Sequence, residues 1–276
     1  MNKLTNHKRK AVVAALVEGN SIRATVRMTD VAKNTIVKLL VELGEACAAY
    51  HDKHVRNVKA KRVQCDEIWS FCYANQKNAP GDKQDEFGYG DVWTWTALDA
   101  ESKLIVSYMV GLRDAGYATE FMHDLAGRLA SRVQLTTDGH KAYLEAVEDA
   151  FAGEIDYAVL VKLYGPAKDY TNEVRYSPCV CTGSRRTPVS GNPEQRHIST
   201  SYVERQNLTM RMSMRRFTRL TNGFSKKITN HEAAVALYFM HYNFCRILQT
   251  LRVTPAMEAG LSDHVWEIEE IIDLLG

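Results

Sequence analysis

Apolar residues between His7 and Gly19 recur at helical spacing in "HKRKAVVAALVEG" and stop at a glycine, which predicts a first helix. Ser21 is placed to cap a short second helix reaching about Arg27, and Thr29-Asp30 reads as a turn. A longer helix follows, with Val31, Ile36, Leu39, Leu40 and Leu43 along its apolar side. The period then changes. "VQCDEIWSFCYA", "DVWTWTALDAES" and "KLIVSYMVG" are β-like runs, the last two joined around Ala100–Ser102 as a hairpin, with a polar loop at 75–90 before it. "GYATEFMHDLAGRLAS" predicts a helix, "VQLTTDG" a short strand, "HKAYLEAVEDAFAG" a helix and "IDYAVLVKLYG" a strand. Residues 165–198, rich in Pro, Ser, Thr and Arg, read as irregular structure. "TSYVERQNLTMRMSMRRFTRL" predicts a basic helix and "NHEAAVALYFMHYNFCRILQ" a strongly apolar one.

Three strands, then helix, strand, helix, strand and further helices make the layer order of an α/β domain with a mixed sheet. The chain is therefore expected to divide into a small all-α region at 1–50, a basic linker at 51–62, the α/β domain at 63–250 and an acidic tail at 251–276. Its 276 residues suffice for a real core. No apolar run approaches the ~20 residues that a membrane span needs. "MNKLTNHKRKAVV" has no apolar signal-peptide core, so the expectation is a cytoplasmic protein. Its six cysteines (47, 65, 72, 179, 181 and 245) form no regular framework, and reduced thiols follow from that location. Cys179 and Cys181 form a C-x-C pair without the second pair that a structural zinc site needs.

The small net charge of +2 hides a strong pattern. Residues 1–62 carry 13 Lys/Arg against 5 Asp/Glu, a net of +8, and residues 63–160 carry 7 against 17, a net of −10. Residues 161–230 return to 13 against 4, a net of +9. Two basic blocks around an acidic one suit a protein that grips a polyanion and places carboxylates between its grips. In the first block, a short helix, a turn and a longer helix match the helix-turn-helix arrangement, whose second helix enters the DNA major groove. Lys33, Asn34, Thr35 and Lys38 lie near the start of that helix and are the candidate DNA contacts. A plain three-helix bundle has the same apolar spacing, and the basic excess favours DNA.

"CDEIWSFC", from Cys65 to Cys72, sets an Asp-Glu pair inside an otherwise apolar strand. An unpaired ionised carboxylate is costly in such a place, so Asp66 needs a partner. Asp138 ends a later strand at a glycine turn, and Glu204 opens the basic helix. Carboxylates that converge from separate elements repel one another unless divalent cations neutralise them. Hard oxygen ligands suit Mg²⁺ or Mn²⁺, and two such ions ~4 Å apart serve phosphodiester chemistry. Glu67 should point to the opposite face from Asp66 by strand alternation and is set aside. Asp99 beside the hairpin reads as turn chemistry.

The order Asp66 ("VQCDEIWSF"), Asp138 ("LTTDGHKAY") and Glu204 ("SYVERQNLTMRMSMRRFTRLTNGFSKK") resembles the DDE transposases, most of all those of the insertion-sequence-one family. The resemblance covers roughly residues 60–250, and "LYFMHYNFCR" adds to it. It implies a ribonuclease-H-like catalytic domain that uses Mg²⁺ to cut double-stranded DNA at element ends and join the 3′-OH to a target. It also implies a homo-oligomer acting on paired ends. Many relatives carry an N-terminal cysteine-rich zinc element that this chain lacks, which leaves end recognition to the helix-turn-helix. A nuclease or resolvase of the same fold without joining, and a retired transposase acting as a DNA-binding regulator, are the alternatives. Positions seven and eleven after Glu204 return to its stripe at about 100° per residue, so Arg211 and Arg215 are expected along the DNA and Arg216 is expected to face away.

Overall fold

In this computed structural model, residues 4–84, 86–165, 180–218 and 222–276 are described. Thr5 Oγ1 accepts from Lys8 N at the start of α1 (Asn6–Val17), and Ser21 Oγ accepts from Ala24 N at 3.1 Å at the start of α2 (Ile22–Thr29). Asp30, at φ 54°, takes the left-handed conformation that lets the chain turn into α3 (Lys33–His54). Aspartate tolerates that region better than most residues. The buried side of α3 carries Ile36, Leu39, Leu40, Leu43 and Cys47, and packs against α7 (Ile228–Met240). Gly44 lies where an added Cβ would meet Ala233 at 2.4 Å or less, so the two helices approach closely there.

The central sheet has six strands in the order β3-β2-β1-β4-β5-β6. β1 (Arg62–Cys72), β2 (Gly90–Asp99) and β3 (Ile105–Gly111) form an antiparallel meander. β4 (Gln134–Thr137) and β5 (Asp156–Gly165) continue parallel to β1, and β6 (Val180–Ser190) returns antiparallel on the outer edge. β1 and β2 are buried almost without alternation, as strands covered on both faces should be. The covering helices include α4 (Ala115–Ala126), α5 (Ala142–Phe151) and α6 (Ser201–Ser213). A mixed sheet with this order and flanking helices is consistent with the ribonuclease-H-like fold that the resemblance implies.

Several segments differ from the sequence reading. Residues 180–190, expected to be irregular, form β6, which is exposed along most of its length and so has no buried face to impose an alternating pattern. Residues 51–62, expected as a linker, start as the last turn of α3 and end at the first residue of β1, with Val55 and Val58 buried. The acidic tail contains α8 (Pro255–Glu258) and α9 (Ile268–Asp273), and Ile271 and Ile272 are buried. Glu269 of α9 pairs with Lys10 of α1. Among the described residues, the larger buried apolar cluster runs from Val12 to Ile272. Asp99 does turn chemistry as expected, accepting from Ser102 N at 3.1 Å.

Candidate active site

Register builds the site. Arg62, Val63 and Gln64 of β1 face Gln134, Leu135 and Thr136 of the parallel β4. Carried two residues further, the same register sets Asp66 opposite Asp138, about one strand spacing (~4.8 Å) away. β4 stops at Thr137, so the β1–β4 ladder opens at this point. Asp138 Oδ1 accepts from His140 N at 2.9 Å, a local turn that fixes its carboxylate at the open end of the ladder.

Asp66 Oδ1 accepts from Glu67 N at 2.9 Å and its Oδ2 accepts from Asn207 Nδ2 at 2.8 Å. Carboxylate oxygens of Asp66, Glu67 and Asp138 all lie within 4.8 Å of one another. The sequence reading set Glu67 aside on strand alternation, and here that reading is corrected. Alternation sends its Cβ to the other face, but no strand borders β1 on the β4 side at this level. A side chain as long as glutamate can therefore bring its carboxylate round to the pair.

Glu204 is brought up by a capping contact from β1. Gln64 Oε1 accepts from Tyr202 N at 2.8 Å and Val203 N at 3.2 Å, satisfying two free N–H groups in the first turn of α6. Thr200 Oγ1 donates to Glu204 Oε1 at 2.6 Å, and Lys162 of β5 pairs with Oε2. Glu204 lies outside the three-carboxylate group, yet its charge reaches Asp66.

Burial comes first, and the neighbouring charges of Glu67 and Asp138 second, in pushing the Asp66 carboxyl up to about 7. Burial and then the Asp138 charge push Glu67 up to about 7 as well, against the opposing pull of the Tyr143 hydroxyl and Arg113. The Tyr143 hydroxyl is a near neighbour of Glu67, although neither it nor Glu67 Oε1 makes a well-formed hydrogen bond. Arg113 Nε donates to Glu67 Oε2 at 3.0 Å, and its Nη2 reaches Asp138 Oδ2 at 3.5 Å. The guanidinium carbon stands 4.9 Å from the centre of the Trp93 ring. One guanidinium thus serves two of three acids.

The donor set fits a hard divalent cation. Two buried oxygens at the cluster, Glu67 Oε1 and Asn207 Oδ1, have no hydrogen-bond partner, and every candidate ligand is an oxygen. An isolated acidic group of this kind would shed charge by protonation, and a cation removes that pressure.

Lys33, Asn34, Thr35 and Lys38 are all exposed at the start of α3, and Lys38 pairs with Glu42 at 3.6 Å. Arg211 lies on α6, seven residues after Glu204. Arg215 does not share that stripe as expected. α6 ends at Ser213, Met214 is extended at φ −130° and ψ 111°, and Arg215 starts a separate 3-10 turn through Phe217. Arg216 lies in the same 3-10 turn, so the helical spacing from Glu204 does not reach it either. Its Nε donates to Ser225 Oγ at 2.8 Å, and burial lowers its pKa to about 10. Cys181 is exposed and unpaired, and Cys179 lies outside the described residues.

Gln64 and Asn207 were legible in outline, being two residues before Asp66 and three after Glu204 on the matching faces. Arg113 and Lys162 carry no local signal, because only the sheet brings them to the acids.

No family model matches the chain, and no curated protein matches it. Among solved structures, the chain is similar to a piggyBac transposase synaptic complex with hairpin DNA, at 10% identity and a TM-score of 0.39. The match covers 100% of this chain and 72% of that one. At that distance the likeness carries no argument. Among the described residues, no helix is long and apolar enough to cross a membrane.

Proposed function

We propose that the chain is a DDE-type DNA transposase that cleaves the ends of an insertion sequence and joins their 3′-OH groups to target DNA. The observation that carries the reading is the in-register meeting of Asp66 and Asp138 at the open end of the β1–β4 ladder, with Glu204 capped toward them by Gln64. Asp66, Asp138 and Glu204 would hold the divalent cations, Mg²⁺ with Mn²⁺ as substitute. Such ions supply activation of an attacking oxygen and stabilisation of the leaving one in phosphodiester chemistry.

The remaining roles belong to side chains. Asn207 holds one Asp66 oxygen and so aims the other, while Thr200 and Lys162 hold Glu204 in reserve beside the cluster. Lys162 is also placed to take a phosphate oxygen of bound DNA. The exposed Lys33, Asn34, Thr35 and Lys38 read the element ends from a helix-turn-helix in residues 1–50, and Arg211 meets phosphates near the scissile bond. Two copies acting on paired ends complete the reaction.

The test is direct. Asp66→Asn, Asp138→Asn and Glu204→Gln should each lower Mg²⁺-dependent cleavage and strand transfer of end DNA by more than about a hundredfold, since losing even a supporting residue of a metal site costs 10–100-fold. DNA binding should persist. Joining of a 3′-OH end by Asp138→Asn at the wild-type rate would refute the assignment.

A further inference from the structure

The three-carboxylate group contains a residue that the Asp-Asp-Glu pattern does not use. Glu67 has a side chain only 1% exposed, next to Asp66 in sequence and with its oxygen inside the same 4.8 Å group. Ligands on opposite sides of one ion stand about twice the metal–oxygen distance apart, ~4.2 Å for Mg²⁺ and up to ~5 Å for a larger cation. The group is already near that size.

A purely structural role for Glu67 would be a buried ion pair with Arg113. The surroundings argue otherwise. A structural pair has its remaining oxygens satisfied, because buried acceptors without partners are costly. Glu67 Oε1 has none, and neither does the fully buried Tyr143 hydroxyl beside it. Arg113 is shared unequally, at 3.0 Å from Glu67 and a long 3.5 Å from Asp138, and its side chain is 35% exposed. In the same position its guanidinium lies over the Trp93 ring, 4.9 Å from the centroid, so the indole supports it independently of the acids. A guanidinium that is about a third exposed, supported by an indole and loosely bonded to one of its acids can leave without breaking the core.

We propose that Glu67 is a fourth carboxylate ligand of the cation site and that Arg113 is its resident counter-ion, giving way when a cation enters. The inference rests on the reading of the site as a divalent-cation centre. It assigns the deepest acid to the cation and explains why the cluster keeps one cationic side chain rather than two. It also explains why Glu204 is parked on Lys162 and Thr200 while Glu67 faces Asp66 and Asp138.

The experiment is Mn²⁺ titration of the purified full-length protein without DNA, followed by the electron paramagnetic resonance signal of free Mn²⁺. Glu67→Gln should weaken Mn²⁺ binding at least tenfold, and Arg113→Gln should tighten it several-fold. Should Glu67→Gln fold poorly once its partner is left bare, Glu67→Gln/Arg113→Gln removes both charges and should bind at least tenfold more weakly than Arg113→Gln alone. Asp66→Asn is titrated in parallel. Wild-type affinity in Glu67→Gln, with binding lost in Asp66→Asn, overturns the Glu67 assignment and leaves the cation centre standing. Wild-type affinity in both variants overturns the cation centre itself. Weaker binding in Arg113→Gln overturns the displacement.

Discussion

Two partly buried charge networks in this molecule look alike in a residue count and differ in closure. At one, Arg128 joins α3 to α4. It donates to Asp124 at 2.6 and 2.8 Å, to Asp52 at 3.0 Å, and to the carbonyls of His51 and Val55 at 3.3 and 3.2 Å. Arg56 also pairs with Asp52, so two arginines meet two aspartates. The Arg128 guanidinium directs its donors to the carboxylates and to the carbonyls of His51 and of Val55, the residue that caps α3. At the other, Arg113 alone serves Glu67 and Asp138 while Asp66 stands beside them, and a buried carboxylate oxygen is unpaired. The first network is neutral and satisfied, and it fastens the fold. The second is over-charged and unsatisfied, which is how sites that bind something are built.

The comparison breaks first at Arg128. Arg128→Ala should destabilise the protein by about 3 kcal/mol by removing a buried guanidinium and leaving half-buried Asp124 without its partner. It should leave Mn²⁺ affinity unchanged, measured by urea unfolding and titration on the same preparation.

A pH effect follows from the same network. His51 sits under Arg128 with Nε2 3.2 Å from the Ile105 carbonyl, and burial first, then the Arg128 charge, lowers its pKa to about 4. Its unfolded value is near 6.5, so the folded state resists protonation. The stability it contributes is fully present above pH ~6.5 and is lost as pH falls through about 4, on the order of 3 kcal/mol in all. Denaturant unfolding from pH 7 to 4 should show a smaller loss in His51→Gln than in the wild type. Parallel curves would mean that His51 is not held neutral.

At the acid end the sign reverses. Removing a charge from an over-charged cluster relieves repulsion, so Asp138→Asn should raise metal-free stability by about 1 kcal/mol, while abolishing cleavage. A loss of stability there would make the two networks equivalent. The smallest effect is expected at Gln64, whose side chain does the work of an N-cap. Gln64→Ala should cost about 1 kcal/mol, as loss of a cap does, and should lower cleavage out of proportion because Glu204 loses its placement. Thermal melting beside a cleavage assay separates the two.

Local patterns in the chain were enough for the order and type of nearly every element, the cap at Ser21, the turn at Asp30, and the two aspartates, Asp66 and Asp138, that the fold brings together. Helical and strand periods, turn residues and the cost of an acid in an apolar run act over a few residues, so they can be read in place. What lay beyond reach depends on distant partners. Strand register sets Asp66 opposite Asp138, and a one-residue slip would have faced them apart. The early end of β4 leaves room for Glu67 to join the aspartates, although alternation along β1 pointed it elsewhere. α6 stops at Ser213, which detaches Arg215 from the stripe of Glu204, and the exposed edge strand β6 has no buried face to announce it. Arg113 and Lys162 reach their acids only across the sheet. Periodicity shows which residues share a face, but which faces meet is settled by long-range pairing, where burial of the whole core outweighs any local preference.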